Sequence, residues 1–289
     1  MKISCNKFPA LLLRKVYEHV SSEAAYARMR IFIATLLSAT LLVGMARAQT
    51  SDIADLTAVE HHAGGDAGKL YFIIRKAGTS TAPKKACPLL LVMPGGDGSA
   101  EFQPFIKRIV QNAVPDGWLV AQLVAPAWNK QRSQEIVWPT SKSRFPAVKF
   151  TTEQFIAAVV AEIARAERMD WRRVFTLSWS SSGPAAYAAS LDPTTKVTGS
   201  FVAMSVFKPQ ELPDLAAAKG RLYYVLHSPQ DFIPIKMAEK ARETLQAHGA
   251  RVEFKTYEGG PGWRGDVFGT IRDGLTWLNE QASNTGSKP

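Results

Sequence analysis

The chain has 289 residues, 46% hydrophobic and 21% charged, with 35 Lys and Arg against 25 Asp and Glu for a formal charge of +10. An apolar fraction in the globular range excludes a wholly disordered chain, and two cysteines exclude a disulfide scaffold or a four-thiolate zinc site. No internal repeat is visible, and the only low-complexity stretch is the polar tail Asn284 to Pro289.

Ile31 to Met45 is a 15-residue apolar run followed by Ala46-Arg47-Ala48. It is short for a membrane span and the right length for a signal-peptide core ending in a small-x-small cleavage site. The expectation is a leader over 1–48, cleavage before Gln49, and a periplasmic or secreted single domain over 49–289 with no stable membrane span. The alternative is an uncleaved amphipathic or membrane anchor. Glu18 and Glu23 are out of place in a leader, whereas Met29-Arg30 followed by the apolar run makes an ordinary start, so Met29 is the expected initiator. Residues 1–48 hold seven basic and two acidic side chains, which leaves 28 against 23, or +5, for the mature chain. Those charges are scattered, which argues against a nucleic-acid partner. Cys87 is then the one remaining cysteine.

The mature chain alternates strand and helix signals. Leu70 to Arg75 reads as an opening strand, and Leu89 to Met93 as a strand buried on both faces. Phe105, Ile106, Ile109, Val110 and Ala113 recur at helical spacing. Trp118 to Val124 is the next strand. Thr152 can cap a helix whose stripe is Phe155, Ile156, Val159, Val160 and Ile163. Val174 to Leu177, Phe201 to Met204 and Leu222 to Leu226 are further apolar strands. Lys236 to His248 is an amphipathic helix stopping at Gly249, Val252 to Tyr257 a last strand and Val267 to Leu278 a last helix. The alternation predicts an α/β fold, a mostly parallel sheet covered by helices on both faces.

In such sheets the chemistry lies in loops at the carboxyl ends of strands, and three of them stand out. Ser178-Trp179-Ser180-Ser181-Ser182-Gly183 follows a buried strand. It is a relaxed version of the G-x-S-x-G turn, with serines at both glycine positions and Ser180 as candidate nucleophile; a plain polar turn is the alternative. Gly95-Gly96-Asp97-Gly98 can turn backbone N–H groups into a pocket, so Gly96 and Asp97, with the N–H of Ser181, are the candidate oxyanion hole. A generic glycine-rich turn would look the same, whereas a phosphate loop lacks its motif. Asp231, in the loop after Leu222 to Leu226, can orient a histidine, although a lone Asp in a loop more often caps a helix.

The order of these loops resembles the α/β-hydrolase family, in particular its small carboxylesterase, phospholipase and polyester-depolymerase-like members. The resemblance runs from about Leu70 to Leu278 and includes an acid-loop pattern seen here as His227, Ser228, Asp231, Ile233 and Pro234. It implies a Ser180–Asp231 pair completed by a histidine after the last strand, in a Gly-Gly-His-Gly-Trp frame. This chain has Gly259-Gly260-Pro261-Gly262-Trp263. Proline has no titratable group and cannot take the Ser180 proton. Of the mature histidines, His61 and His62 lie far from these loops in sequence, His248 ends a helix, and His227 is the nearest substitute base.

The stretch 128–150 is long for a βα loop. It is read as a partial lid or pocket wall, or else as a surface loop with its own small cluster. Trp128, Trp138, Trp179 and Trp263 are the candidate pocket aromatics. No cofactor is expected, and no metal, since neither H-E-x-x-H nor C-x-x-C is present. The resemblance implies an exported serine esterase for a small ester or lipid-like substrate, weakened by Pro261. The alternative is a pseudo-hydrolase that binds an ester, lipid, glycan or protein partner without turnover.

Overall fold

The computed structural model describes residues 50–76, 86–126 and 136–284. Eight strands form one sheet, in the order β1-β2-β4-β3-β5-β6-β7-β8. They are β1 (Leu56–His62), β2 (Leu70–Lys76), β3 (Cys87–Met93), β4 (Leu119–Leu123), β5 (Met169–Trp179), β6 (Gly199–Ala203), β7 (Leu222–His227) and β8 (Arg251–Thr256). β2 runs antiparallel to both β1 and β4, and every pairing from β4 through β8 is parallel.

The central strands alternate sides with a period of two. Leu89, Leu91 and Met93 enter one apolar layer, and Leu90 and Val92 the other. The first layer is closed by α2 (Thr152–Ala166), α3 (Gly183–Leu191) and α4 (Ile235–Ala247). The second is closed by α1 (Gln103–Asn112) and α5 (Val267–Asn284). The predicted stripe of α2, from Phe155 to Ile163, is buried in the first layer. Helices thus cover both faces, as the alternation requires.

Several elements differ from the sequence expectation, three of them for a clear physical reason. β1 was not anticipated, because Glu60, His61 and His62 interrupt its apolar pattern; it is a half-exposed edge strand whose His61 ring stacks on Tyr71 at 5.1 Å. β5 starts at Met169 rather than Val174, since Asp170 to Arg173 form its polar, solvent-facing first half. α2 is capped by Thr151, not Thr152. The Thr151 Oγ1 accepts from the Gln154 N–H at 3.3 Å and the Gln154 side chain accepts from the Thr151 N–H at 3.0 Å, a reciprocal capping box. Thr152 instead donates its hydroxyl to the Pro139 carbonyl at 2.9 Å.

Among the described residues, no helix is long and apolar enough to cross a membrane. Replacing the cap, Thr151→Ala, is expected to lower the unfolding free energy by about 1 kcal/mol in denaturant titration.

Candidate active site

β5 ends at Trp179, and the chain turns at once into α3 through Ser180. Ser180 sits at φ 55°, a left-handed conformation that costs a non-glycine residue about 1–2 kcal/mol. The turn is held by its neighbours. The Ser182 hydroxyl donates to the Met93 carbonyl at 2.7 Å and accepts from the Trp179 N–H at 3.0 Å, tying the end of β3 to the turn. Ser178 is fully buried, its hydroxyl donating to the Phe201 carbonyl at 3.2 Å. Serine is therefore accommodated at both flanking positions because each hydroxyl has a backbone partner. The strict need for glycine falls one residue later: a Cβ on Gly183 would lie 2.2 Å from Ser205 Oγ.

The glycine loop lies directly against this turn. A Cβ on Gly95 would meet the Trp179 carbonyl at 2.4 Å, so no other residue lets the two loops approach. Gly96 and Gly98 sit at φ 61° and 67°, and the Gly98 N–H closes the turn onto the Gly95 carbonyl at 3.0 Å. The Ser181 hydroxyl donates to the Gly96 carbonyl at 2.8 Å. Gly96 and Asp97 are exposed, and among the described residues their N–H groups reach no acceptor. The Asp97 carboxylate accepts from the Ser99 N–H at 3.0 Å, a bond within its own loop. The structure thus brings Ser180, Ser181, Gly96 and Asp97 to one edge of the sheet.

Asp231 lies between β7 and α4. Its Oδ1 accepts from the Ile233 N–H at 2.9 Å, while Oδ2 is buried without a hydrogen-bond partner. Burial raises its carboxyl above the ordinary 3.8, outweighing the Ile233 N–H, the neighbouring His227 and the Phe232 N–H. His227 is fully buried. Its Nε2 donates to the Ile233 carbonyl at 2.9 Å, and its Nδ1 is buried without a partner. It clips the acid loop from within, with Nε2 as the donor and Nδ1 left as the unprotonated nitrogen.

The loop after β8 is fastened to the acid loop. The Ser228 hydroxyl bonds the Gly259 carbonyl, and the Gly259 N–H donates to Gln230 Oε1 at 3.0 Å. Gly259 and Gly262 take φ 104° and 93°, and the Tyr257 hydroxyl donates to the Gly262 carbonyl at 3.1 Å. The half-buried Pro261 therefore sits in a loop locked beside Asp231, with its carbonyl accepting from Arg264 Nη2 at 3.3 Å. Burial, together with the nearby Asp231 charge, raises the Tyr257 phenol strongly, which leaves it protonated near neutrality.

Two of the four candidate tryptophans, Trp138 and Trp179, are buried rather than open to a pocket. Trp138 is 3% exposed, its Nε1 donating to the Pro94 carbonyl at 3.0 Å and its ring backing Gly98. Trp179 is 4% exposed, edge-on to Phe102 and Phe105 at 5.7 and 5.8 Å. Both prop the two loops from behind, because the close backbone contact at Gly95 leaves room only for flat rings. Trp263 is half-buried, 5.9 Å from the Trp179 ring, with its Nε1 buried and without an acceptor. Trp128 lies outside the described residues. In the described part of the lid stretch, Val137, Trp138 and Phe150 join the main core.

No protein-family model matches the sequence, and no curated protein matches it. Solved structures do match its architecture. A bacterial heroin esterase aligns with a TM-score of 0.59 at 16% identity, covering 86% of this chain and 90% of that one. Brefeldin A esterase, a bacterial homologue of human hormone-sensitive lipase, aligns at 0.59 and 13%, covering 89% and 87%. An α/β-hydrolase enzyme from a Medee basin deep-sea metagenome library aligns at 0.55 and 12%, covering 79% and 99%. The chain has the α/β-hydrolase fold. In that fold the three loops described here stand at the carboxyl ends of β3, β5 and β7, with the Pro261 loop after β8.

The raised Asp231 carboxyl sets a direction for stability. The folded state holds the Asp231 proton to higher pH than the unfolded chain does, so stability falls as pH rises from the ordinary 3.8 through the higher folded value. Asp231→Asn keeps an oxygen for the Ile233 N–H and removes the buried charge. It is expected to raise the unfolding midpoint at pH 7, with the gain vanishing below about pH 4, measured by thermal melts across pH.

Proposed function

We propose that this chain is an exported serine hydrolase of the carboxylesterase type, acting on a small ester or lipid-like substrate through Ser180 and slowed by the loss of its base. The observation that carries this reading is the strained Ser180 turn, with Ser181 bonded to the glycine loop beside it. Strain of this kind persists where the surroundings over-determine it, and in this reading it presents the Ser180 hydroxyl beside the Gly96 and Asp97 N–H groups.

In this reading Ser180 Oγ attacks the ester carbonyl. The N–H groups of Gly96, Asp97 and Ser181 hold the oxyanion, a contribution worth about 10²–10³ in rate per donor. Asp231 has no imidazole to orient. The serine proton then goes to solvent rather than to a positioned base, and the acyl-enzyme is hydrolysed by water that nothing activates. Esters with good leaving groups suffer least, because they need no proton at the departing oxygen.

A second reading, a pseudo-hydrolase that binds its ligand without turnover, is favoured by Pro261 and by the full burial of His227. A fluorophosphonate probe separates the two. Labelling at Ser180 that is lost in Ser180→Ala supports the first, and no labelling of the folded protein supports the second. Under the first reading, Pro261→His is expected to raise p-nitrophenyl ester turnover by on the order of 10²–10⁴, with Ser180→Ala abolishing the gain. Export is proposed on the leader alone; Edman sequencing of the protein recovered outside the cytoplasm should begin at Gln49.

A further inference from the structure

Far from the candidate active site, a second concavity of about 330 Å³ opens at the amino-terminal edge of the sheet. Its walls are the starts of three strands, with Trp171 and Arg172 from β5, Arg221 and Leu222 from β7 and Arg251 from β8, together with Thr198 and Lys219. Parallel strands put these residues at one end and the Ser180 turn at the other, about 15–30 Å away at roughly 3.3 Å per residue.

Four cations line this space. Two of them are built in. Arg221 Nη1 donates to the Val197 carbonyl at 2.5 Å, and Arg251 holds Gln281 through Nη1 to its Oε1 at 3.0 Å and Nη2 to its carbonyl at 3.1 Å. All these partners are neutral, so neither guanidinium has its charge balanced by them, and each keeps further N–H groups. Lys219 is exposed and forms no ion pair among the described residues. Arg172 contacts the Asp170 carboxylate at 3.3 Å, which Arg173 also holds at 2.8 Å. Beside them stands Trp171, a large aromatic left 51% exposed. Together these features match the needs of a ring bearing an oxyanion, with Arg forks for the anion and an aromatic face for the ring.

We propose that this edge is a binding site for a small ring-bearing oxyanion, either a phosphorylated nucleoside or an acidic or phosphorylated sugar, its ring against Trp171 and its anion among Lys219, Arg221 and Arg251. The site is independent of Ser180 chemistry and of whether esters are turned over. It suits a volume near the lower end of small-molecule pockets, and its affinity falls with salt.

Isothermal titration of the full-length mature protein with AMP, glucose 6-phosphate, glucuronate and inorganic phosphate tests it. Arg221 and Arg251 also support the fold, so the variants are the exposed Lys219→Glu and Trp171→Ala, each checked by thermal melting. Saturable binding of a ring-bearing anion is expected, weakened about tenfold or more by Lys219→Glu and several-fold by Trp171→Ala. AMP binding tighter than both sugars identifies the nucleoside form, and the reverse the sugar form. The proposal is overturned if no ring-bearing anion saturates by about 10 mM, if Lys219→Glu binds like the parent, or if inorganic phosphate binds as tightly as the rings and Trp171→Ala is neutral.

Discussion

The candidate site depends on how closely two neighbouring backbones approach once their strands end. β3 and β5 are parallel partners, Met93 opposite Ser178, so their outgoing loops start only about 4.8 Å apart. Nothing larger than hydrogen fits at Gly95, where the Trp179 carbonyl passes. The constraint propagates in both directions along the chain. On one side it leaves the Gly96 and Asp97 N–H groups facing outward; on the other it forces the reversal that places Ser180 at a positive φ. The Ser182 hydroxyl, bonded to both strands at once, spans the gap that a side chain cannot fill.

Against that intact half, the acid side of the site carries a cost with no counterpart. A carboxylate in a half-buried loop is normally balanced by a cation or by enough hydrogen bonds. Asp231 has an N–H on one oxygen and nothing on the other. His227 is near enough to temper its charge, while its own Nε2 is bonded to the Ile233 carbonyl. The loop bearing Pro261 still docks through Ser228 and Gln230. Those contacts use backbone and side chains other than residue 261, so the docking of this loop does not depend on which side chain stands there.

Much of this was legible in the sequence. Continuous apolar runs at Leu89 to Met93 and Leu222 to Leu226 marked buried strands, since a parallel sheet covered on both faces leaves no polar side to alternate with. The loops after them were legible because glycine density and short side chains are forced by the turn. Other features depended on partners distant in sequence. β1 was hidden because its His and Glu residues belong to a half-solvated edge. The true cap of α2 differed by one residue, as Thr151 and Thr152 have equal cap chemistry and only the docking of Pro139 separates them. Trp138 and Trp179 were read as pocket walls because aromatic residues near a nucleophile fit that role equally well. Their burial behind the glycine loop follows from packing no periodicity encodes.

The strand order has a further consequence for assembly. From β5 to β8, each strand pairs with the next one along the chain, so the carboxyl-terminal half can zip up through short-range closures. β3, by contrast, must enter between β4 and β5, the latter starting some 76 residues beyond its own last residue in the roughest count. Closures over long separations are slow. The Ser180 turn and the acid loop therefore belong to the segment that can order early, while the glycine loop at the tip of β3 arrives with the last long-range pairing. The Gly96 loop meets the Ser180 turn only when β3 has paired with β5, which makes the arrangement of these two loops a reporter of that long-range closure.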